Sequence, residues 1–242
     1  MKDREISPLA RKSLAELIGT AMLVAAVIGS GIAAQRLSPG DVGLQLFENT
    51  AATAAALVAI IFAFGAVSGA HLNPVVTLVD RVLGGLSNAE VAVYVVAQIA
   101  GGALGAVIAN LMFGDAAVTW STHHRATGAH LLGEVVATFG LVLIVFGVVR
   151  SGRAEVAPFA VAAYIASAYW FTSSTSFANP AVTLARTLSS TFAGIAPSSA
   201  PAFIGAQLVG GAIGLGCVVV LYPGMSDVAE EVVMPHHTEE DR

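Results

Sequence analysis

Two Asn-Pro pairs, Asn73-Pro74 and Asn179-Pro180, lie inside strongly apolar stretches of the chain. Asn is a favoured helix N-cap, and Pro is favoured at the first helical position because the N–H that it lacks is not needed there. Each pair therefore predicts the start of a helix, over about 73–82 and 180–190, that is too short to cross a bilayer. A helix that starts in hydrocarbon leaves N–H groups unpaired, so both turns must border a polar cavity.

The composition indicates an integral membrane protein. The 242 residues are 56% hydrophobic and 11% charged, with a mean hydropathy of +0.79, whereas about a quarter of the residues in a soluble domain are charged. The net charge of −5 comes largely from acidic residues after the last apolar run. No basic surface indicates a nucleic-acid partner.

Six apolar segments have the length of a membrane span, which is about 20 residues. They cover about 12–34, 49–67, 91–113, 130–150, 156–175 and 200–222. The two short helices follow the second and the fifth of these segments. The pattern predicts an all-α membrane protein with six transmembrane helices and two re-entrant half-helices.

The two halves of the chain repeat each other. Glu16 and Glu134 open the halves, the Asn-Pro pairs follow, and Gln98 and Gln207 come near their ends, at spacings of 118, 106 and 109 residues. Because each half has an odd number of spans, the second must enter the membrane inverted. We expect a single domain over 1–242, with one repeat over about 12–115, the other over about 130–222, and a polar tail at 223–242.

The positions of the basic residues predict an orientation. With both termini in the cytoplasm, the cytoplasmic side holds Lys2, Arg4, Arg11, Lys12, Arg81, Arg150, Arg153 and Arg242, and the outside holds Arg36, Arg125 and Arg186. This excess of inner positive charge follows the positive-inside rule. We therefore expect a multi-pass protein of the plasma (inner) membrane.

Two Asn-Pro-Ala-like (NPA) turns in equivalent places of two repeats resemble the motifs of the aquaporin, or major intrinsic protein, family. The resemblance extends over about residues 12–222. It implies a passive channel for small neutral solutes and water, assembled in lipid as a homotetramer with one pore in each subunit. It implies neither a cofactor nor an enzymatic activity.

Two positive helix N-termini that face each other at the pore midplane would repel cations, while the two Asn side chains would each donate an N–H to a passing solute. The predicted midplane residues are Asn73, Pro74, Val75, Asn179, Pro180 and Ala181. The resemblance further implies that Glu16 and Glu134 hold the re-entrant loops in place, with His71 as the first candidate partner of Glu16. A proton relay through these carboxylates is the alternative, since an intramembrane carboxylate is costly.

The outer constriction departs from the usual family pattern. Typical members have Arg directly after the second NPA motif, and here that position is Val182. By the spacing of the family, the other filter residues are Thr53, Ser167 and Ser176, and Arg186, one turn further on, is not expected to replace the missing Arg. A ring of small side chains without a fixed cation implies a wide filter.

A wide filter would pass glycerol-like polyols, urea or neutral metalloid hydroxides such as arsenous acid. The pattern resembles bacterial aquaglyceroporins associated with arsenic resistance, in which Val also replaces this Arg. A water-selective aquaporin remains an alternative. So does an ion-coupled secondary transporter, which would require a dependence of flux on an ion gradient. The adjacent histidines His123-His124 and His236-His237 lack a third ligand at suitable spacing, so no metal site is expected.

Overall fold

The computed structural model of the protein describes residues 6–223, which form a bundle of α-helices. The helices are α1 (Pro8–Leu37), α2 (Val42–Ser68), α3 (Pro74–Leu83), α4 (Asn88–Met112), α5 (Gly128–Arg150), α6 (Ala157–Phe171), α7 (Pro180–Ala185) and α8 (Ala200–Leu221), with 3-10 turns at Ala154–Val156 and Arg186–Leu188. Six helical segments are long and apolar enough to cross a membrane, namely α1, α2, α4, α5, α8 and α6 together with the 3-10 turn before it (Ala154–Phe171), and α3 and α7 are the two short helices. This confirms the predicted fold class. The acidic tail and His236-His237 lie outside the described residues.

Some helix bounds differ from the sequence-based prediction. The first helix starts earlier because Ser7 caps it, with its hydroxyl accepting from the N–H of Ala10, and Pro8 stands in its first turn. The sixth helix ends early, at Phe171, where the Thr172 hydroxyl donates to the carbonyl of Ala168. The helix α7 is shorter than expected because it tightens into a 3-10 turn at Arg186.

The two repeats pack by the same close contacts between helices. A Cβ added at Gly105 of α4 would lie 2.2 Å from the carbonyl oxygen of Ala21 on α1. At the matching interface between α5 and α8, a Cβ at Gly210 would lie 2.4 Å from the carbonyl oxygen of Val135. Backbones this close require residues without a side chain, which is a common way to pack helices in membranes.

Replacement of Gly105 by Ala should therefore destabilise the protein. The added methyl group must push α1 and α4 apart, at a cost of about 1–3 kcal/mol for overpacking. The change is measured as a lower unfolding midpoint in detergent. Gly216→Ala is the matched control, because nothing lies within 4 Å of a Cβ at that position. Equal midpoints for the two variants would contradict the close packing.

The connector between α4 and α5 (residues 113–127) lies against the segment that follows α7. The N–H groups of Thr119 and Ser121 donate to the carbonyls of Leu188 and Thr187, both at 3.0 Å, and the N–H of Ala196 donates to the carbonyl of His123 at 2.8 Å. The end of α7 is thereby fixed on this face of the bundle, which we call the connector side.

Candidate functional site

The two half-helices start beside each other in the interior of the bundle. The Oδ1 of Asn73 accepts from the N–H of Val75 at 2.9 Å, and the Oδ1 of Asn179 accepts from the N–H groups of Ala181 and Val182 at 3.0 and 3.2 Å. Pro74 and Pro180 hold the first helical positions. Both asparagines thus satisfy N–H groups that a helix start otherwise leaves unpaired.

The asparagines also join the two repeats. The Nδ2 of Asn73 donates to the carbonyl of Ala178 at 2.8 Å, and the Nδ2 of Asn179 donates to the carbonyl of Leu72 at 2.7 Å. Each side-chain amide has two N–H donors, so these bonds leave one on each asparagine. Both residues line the central cavity, where the second donor can meet a solute.

The backbone before each Asn-Pro pair has the same unusual conformation in both repeats. Ala70 and Leu72 have φ of 47° and 51°, and Ser176 and Ala178, each 106 residues later, both have φ of 47°. Non-glycine residues in this left-handed region are strained by about 1–3 kcal/mol each. Other contacts must therefore hold these loops in place.

Two buried carboxylates provide those contacts. Glu16 accepts from the backbone N–H groups of His71 and Leu72, at 2.9 and 2.7 Å, and Glu134 accepts from those of Phe177 and Ala178, both at 2.9 Å. Glu16 also accepts from the Nε2 of Gln98 at 2.7 Å and from the hydroxyl of Ser68. Glu134 also accepts from the Nε2 of Gln207 at 2.6 Å. Neither carboxylate lines the cavity, and this arrangement favours loop support over a proton relay.

The predicted partnership of Glu16 with His71 is formed by the backbone of His71. The imidazole itself contacts the hydroxyl of Thr77, with Nδ1 at 3.2 Å, and its Nε2 lies 3.9 Å from a carboxylate oxygen of Asp80. The ring also lines the cavity. His71 therefore connects the loop to the half-helix that follows it.

A cavity runs past both asparagines. Most of its wall is apolar, and its polar side chains are few. The lining consists of Leu23, Val27, Thr53, Leu57, Ile61, Ala70, His71, Leu72, Asn73, Val76, Leu141, Val145, Val161, Ile165, Tyr169, Ser176, Phe177, Asn179, Val182 and Arg186. An apolar wall with a few placed polar groups is typical of a site for small molecules.

Three of the predicted filter residues lie in this lining, namely Thr53, Ser176 and Val182, and the fourth does not. Ser167 is exposed, and its hydroxyl donates to the carbonyl of Tyr164 at 2.7 Å. Its assignment to the filter is wrong.

Tyr169 lies where Ser167 was expected. Val161, Ile165 and Tyr169 line the cavity at helical spacing, and Ser167, two residues before Tyr169, lies on the other face of α6. The hydroxyl of Tyr169 donates to Oγ1 of Thr53 at 3.4 Å. The expectation that no large aromatic side chain lines the filter is therefore wrong as well.

The expectation that no fixed cation lines the filter is also wrong. Arg186 is 2% exposed and lines the same cavity as Val182. Its Nε donates to the carbonyl of Ala193, and its Cζ lies 3.4 Å from the ring centroid of Phe177. The 3-10 turn that begins at Arg186 has about 3.0 residues per turn, so the direction of this side chain differs from that in a continued α-helix.

A second arginine, from the connector, contacts the same ring. The Cζ of Arg125 lies 5.5 Å from the ring centroid of Phe177, and its Nε and Nη2 donate to the carbonyls of Gly194 and Phe192 at 2.9 and 3.1 Å. Burial lowers the pKa of the Arg125 guanidinium. Burial lowers the pKa of the His123 imidazole, and the positive charge of Arg125 lowers it further. Arg125 thus fastens the connector to the segment after α7.

Comparisons with known proteins agree with this architecture. The model of the family described as major intrinsic protein matches residues 4–176. The chain is 48% identical over 202 residues to the aquaglyceroporin AqpS of Rhizobium meliloti, covering 84% of this chain and 86% of that protein. It is 32% identical over 165 residues to the glycerol uptake facilitator protein of Streptococcus pneumoniae, covering 62% of this chain and 70% of that protein.

The solved structure of the aquaglyceroporin from Plasmodium falciparum has the same fold. It superposes with a TM-score of 0.68 at 18% identity, over 90% of this chain and 99% of that chain. Together with the six membrane helices and the paired half-helices, the sequence matches identify the chain as a member of the major intrinsic protein family, whose proteins are membrane channels rather than enzymes.

Proposed function

We propose that this channel passes small neutral solutes larger than water, in addition to water itself. Family membership makes the chain a channel for water and small solutes. The proposal adds the solute class: glycerol-like polyols, urea and neutral metalloid hydroxides such as arsenous acid. The observation that carries it is Val182, an uncharged, compact side chain that lines the cavity at the position directly after the second NPA motif.

The chemistry of the cavity supports neutral, partly apolar solutes. Its wall is mostly aliphatic, while Asn73, Asn179, Thr53, Tyr169 and Ser176 place polar groups along it. A polyol can turn its hydroxyl groups to those side chains and its carbon atoms to the aliphatic wall. An ion would lose its hydration shell against that wall and meet two positive helix ends. The names of the relatives, an aquaglyceroporin and a glycerol uptake facilitator, support the same solute class.

The assembly and orientation complete the proposal. We place the protein in the plasma membrane, which is the inner membrane of a bacterium, with both termini in the cytoplasm and the connector side outside. Lys12, Arg81, Arg150 and Arg153 would then face the cytoplasm, as the positive-inside rule favours. By family resemblance the chain forms a homotetramer in lipid, with a separate pore in each subunit.

A permeability panel tests the solute class. Purified protein in liposomes, followed by stopped-flow light scattering, should take up glycerol, urea and arsenous acid faster than protein-free liposomes do. Uptake should rise linearly with solute concentration, because a channel has no transport cycle. Water flux without uptake of any larger solute would instead establish the water-selective alternative.

The same liposomes test the ion-coupled alternative. Uptake should stay unchanged when a proton or sodium gradient is imposed, because neither Glu16 nor Glu134 lines the cavity. Uptake that rises with either gradient would overturn the passive channel.

A further inference from the structure

We propose that Arg186 carries the cation barrier of this channel, one helical turn away from the residue that sets the size limit. In this arrangement Val182 leaves the cavity wide, and Arg186 excludes positive charge. The inference rests on the proposed function, because it adds a second cation barrier, at the end of a passage for larger neutral solutes, to the one that the two helix N-termini provide at the midplane.

The guanidinium of Arg186 is held in a fixed place. Phe177 supplies a flat ring beneath it, with the Arg186 Cζ 3.4 Å from the ring centroid, and the carbonyl of Ala193 accepts from Nε. An arginine that stacks on an aromatic face and donates from Nε loses most of its freedom to swing. Its charge therefore stays at the connector-side end of the cavity.

The remaining donors of Arg186 belong to a side chain that lines the cavity. Within residues 6–223, neither Nη of Arg186 has a hydrogen-bond partner, although the residue is 2% exposed and lines the cavity. No carboxylate in the same part of the chain lies within ion-pair distance of it. A buried guanidinium that no carboxylate neutralises repels a cation that enters beside it.

Arg125 contacts the same ring and, within residues 6–223, also has no carboxylate within ion-pair distance, but it differs in its Nη hydrogen bond and in its position. Its Nε and Nη2 both donate to carbonyls of the segment after α7, and it does not line the cavity. We therefore assign Arg125 to loop anchoring and Arg186 to the passage. The two residues form a matched pair for mutation, because both contact the ring of Phe177 and only Arg186 of the two lines the cavity.

The internal repeat provides a comparison for the location of Arg186. Asp80 occupies the equivalent position of the first half-helix, 106 residues earlier, and lies against His71, the equivalent of Phe177. In each repeat an ionisable side chain near the end of the half-helix thus lies beside a ring that lines the cavity. Of the two residues, Arg186 itself lines the cavity and Asp80 does not, so the positive charge borders the passage at the connector side.

The test compares charge selectivity with size selectivity in proteoliposomes. Arg186→Gln should raise proton leak, followed with an internal pH dye, by about tenfold, since an electrostatic barrier is lost. Its ratio of glycerol to urea permeability should stay within about twofold of the unmodified protein, because the level of Val182 is unchanged. Arg186→Lys keeps the charge and should stay proton-tight, and Arg125→Gln should also stay proton-tight. Arg186→Gln that is as proton-tight as Arg186→Lys would overturn the inference.

A second pair of variants leaves Arg186 in place. A carboxylate at residue 182 would line the same cavity as Arg186, where it can pair with the guanidinium. Val182→Glu should therefore neutralise the barrier and raise proton leak, while the uncharged Val182→Gln should not. Equal leak from these two variants would reject the assignment even where Arg186→Gln does not fold. If the unmodified protein takes up no solute beyond water, the proposed function fails, whereas a proton-tight Arg186→Gln beside normal glycerol uptake removes only this inference.

Discussion

Val182→Arg should reduce glycerol and arsenous acid uptake by at least about tenfold, which corresponds to about 1.4 kcal/mol in the barrier. Val182 is 5% exposed and lines the cavity, so a longer side chain there has no space except the passage itself. The new guanidinium would also share the cavity with Arg186, which Phe177 holds in place, so repulsion between the like charges would direct the new side chain into the passage. Water, the smallest permeant, should lose much less flux than glycerol.

The measurement is the ratio of glycerol to water permeability in matched liposomes. Val182→Leu is the control, because it adds bulk without charge or hydrogen-bond donors. We expect the ratio of glycerol to water permeability to fall strongly in Val182→Arg and much less in Val182→Leu. That result would assign solute selection to the size and donors of the Arg side chain. Equal loss of water and glycerol flux in Val182→Arg would show a general block and remove the support for a wide filter.

The half-helices were predictable because their signals are local. Asn before Pro predicts a capped helix start from two adjacent residues, and Asn73 and Asn179 make those caps. The role of the two glutamates came from the family resemblance, which implied that they hold the re-entrant loops in place. The structure places the two glutamates in equivalent contacts with the backbone of both loops.

The filter was less predictable because it depends on helix rotation. A family spacing that is two residues out moves a side chain to the opposite face, as the exposed Ser167 shows. The spacing of Val161, Ile165 and Tyr169 along α6 was a signal that could have corrected this error. Arg186 had no such signal, because its direction follows from a 3-10 turn and from a ring and a carbonyl that other parts of the chain supply.

Glu134→Ala should abolish solute flux and lower the unfolding midpoint. The change leaves the N–H groups of Phe177 and Ala178 without an acceptor, and each buried orphan costs about 1–3 kcal/mol. The strained backbone at Ser176 and Ala178 would lose the contact that holds it. Because this loop carries Asn179 and Ser176 into the cavity, its displacement closes or deforms the passage.

Glu134→Gln separates loop support from ion coupling. Its side-chain oxygen can still accept one of the two backbone N–H groups, while its amide nitrogen faces the other as a second donor, so stability should fall between that of the unmodified protein and that of Glu134→Ala. Folded Glu134→Gln should conduct glycerol at a reduced rate, and this rate should be the same with and without a proton gradient. The contrary result has two parts: Glu134→Gln keeps its full stability, and a proton gradient drives uptake by the unmodified protein but not by the variant. Glu134 would then be a proton carrier, because a residue that only supports the loop cannot change the coupling without changing the stability.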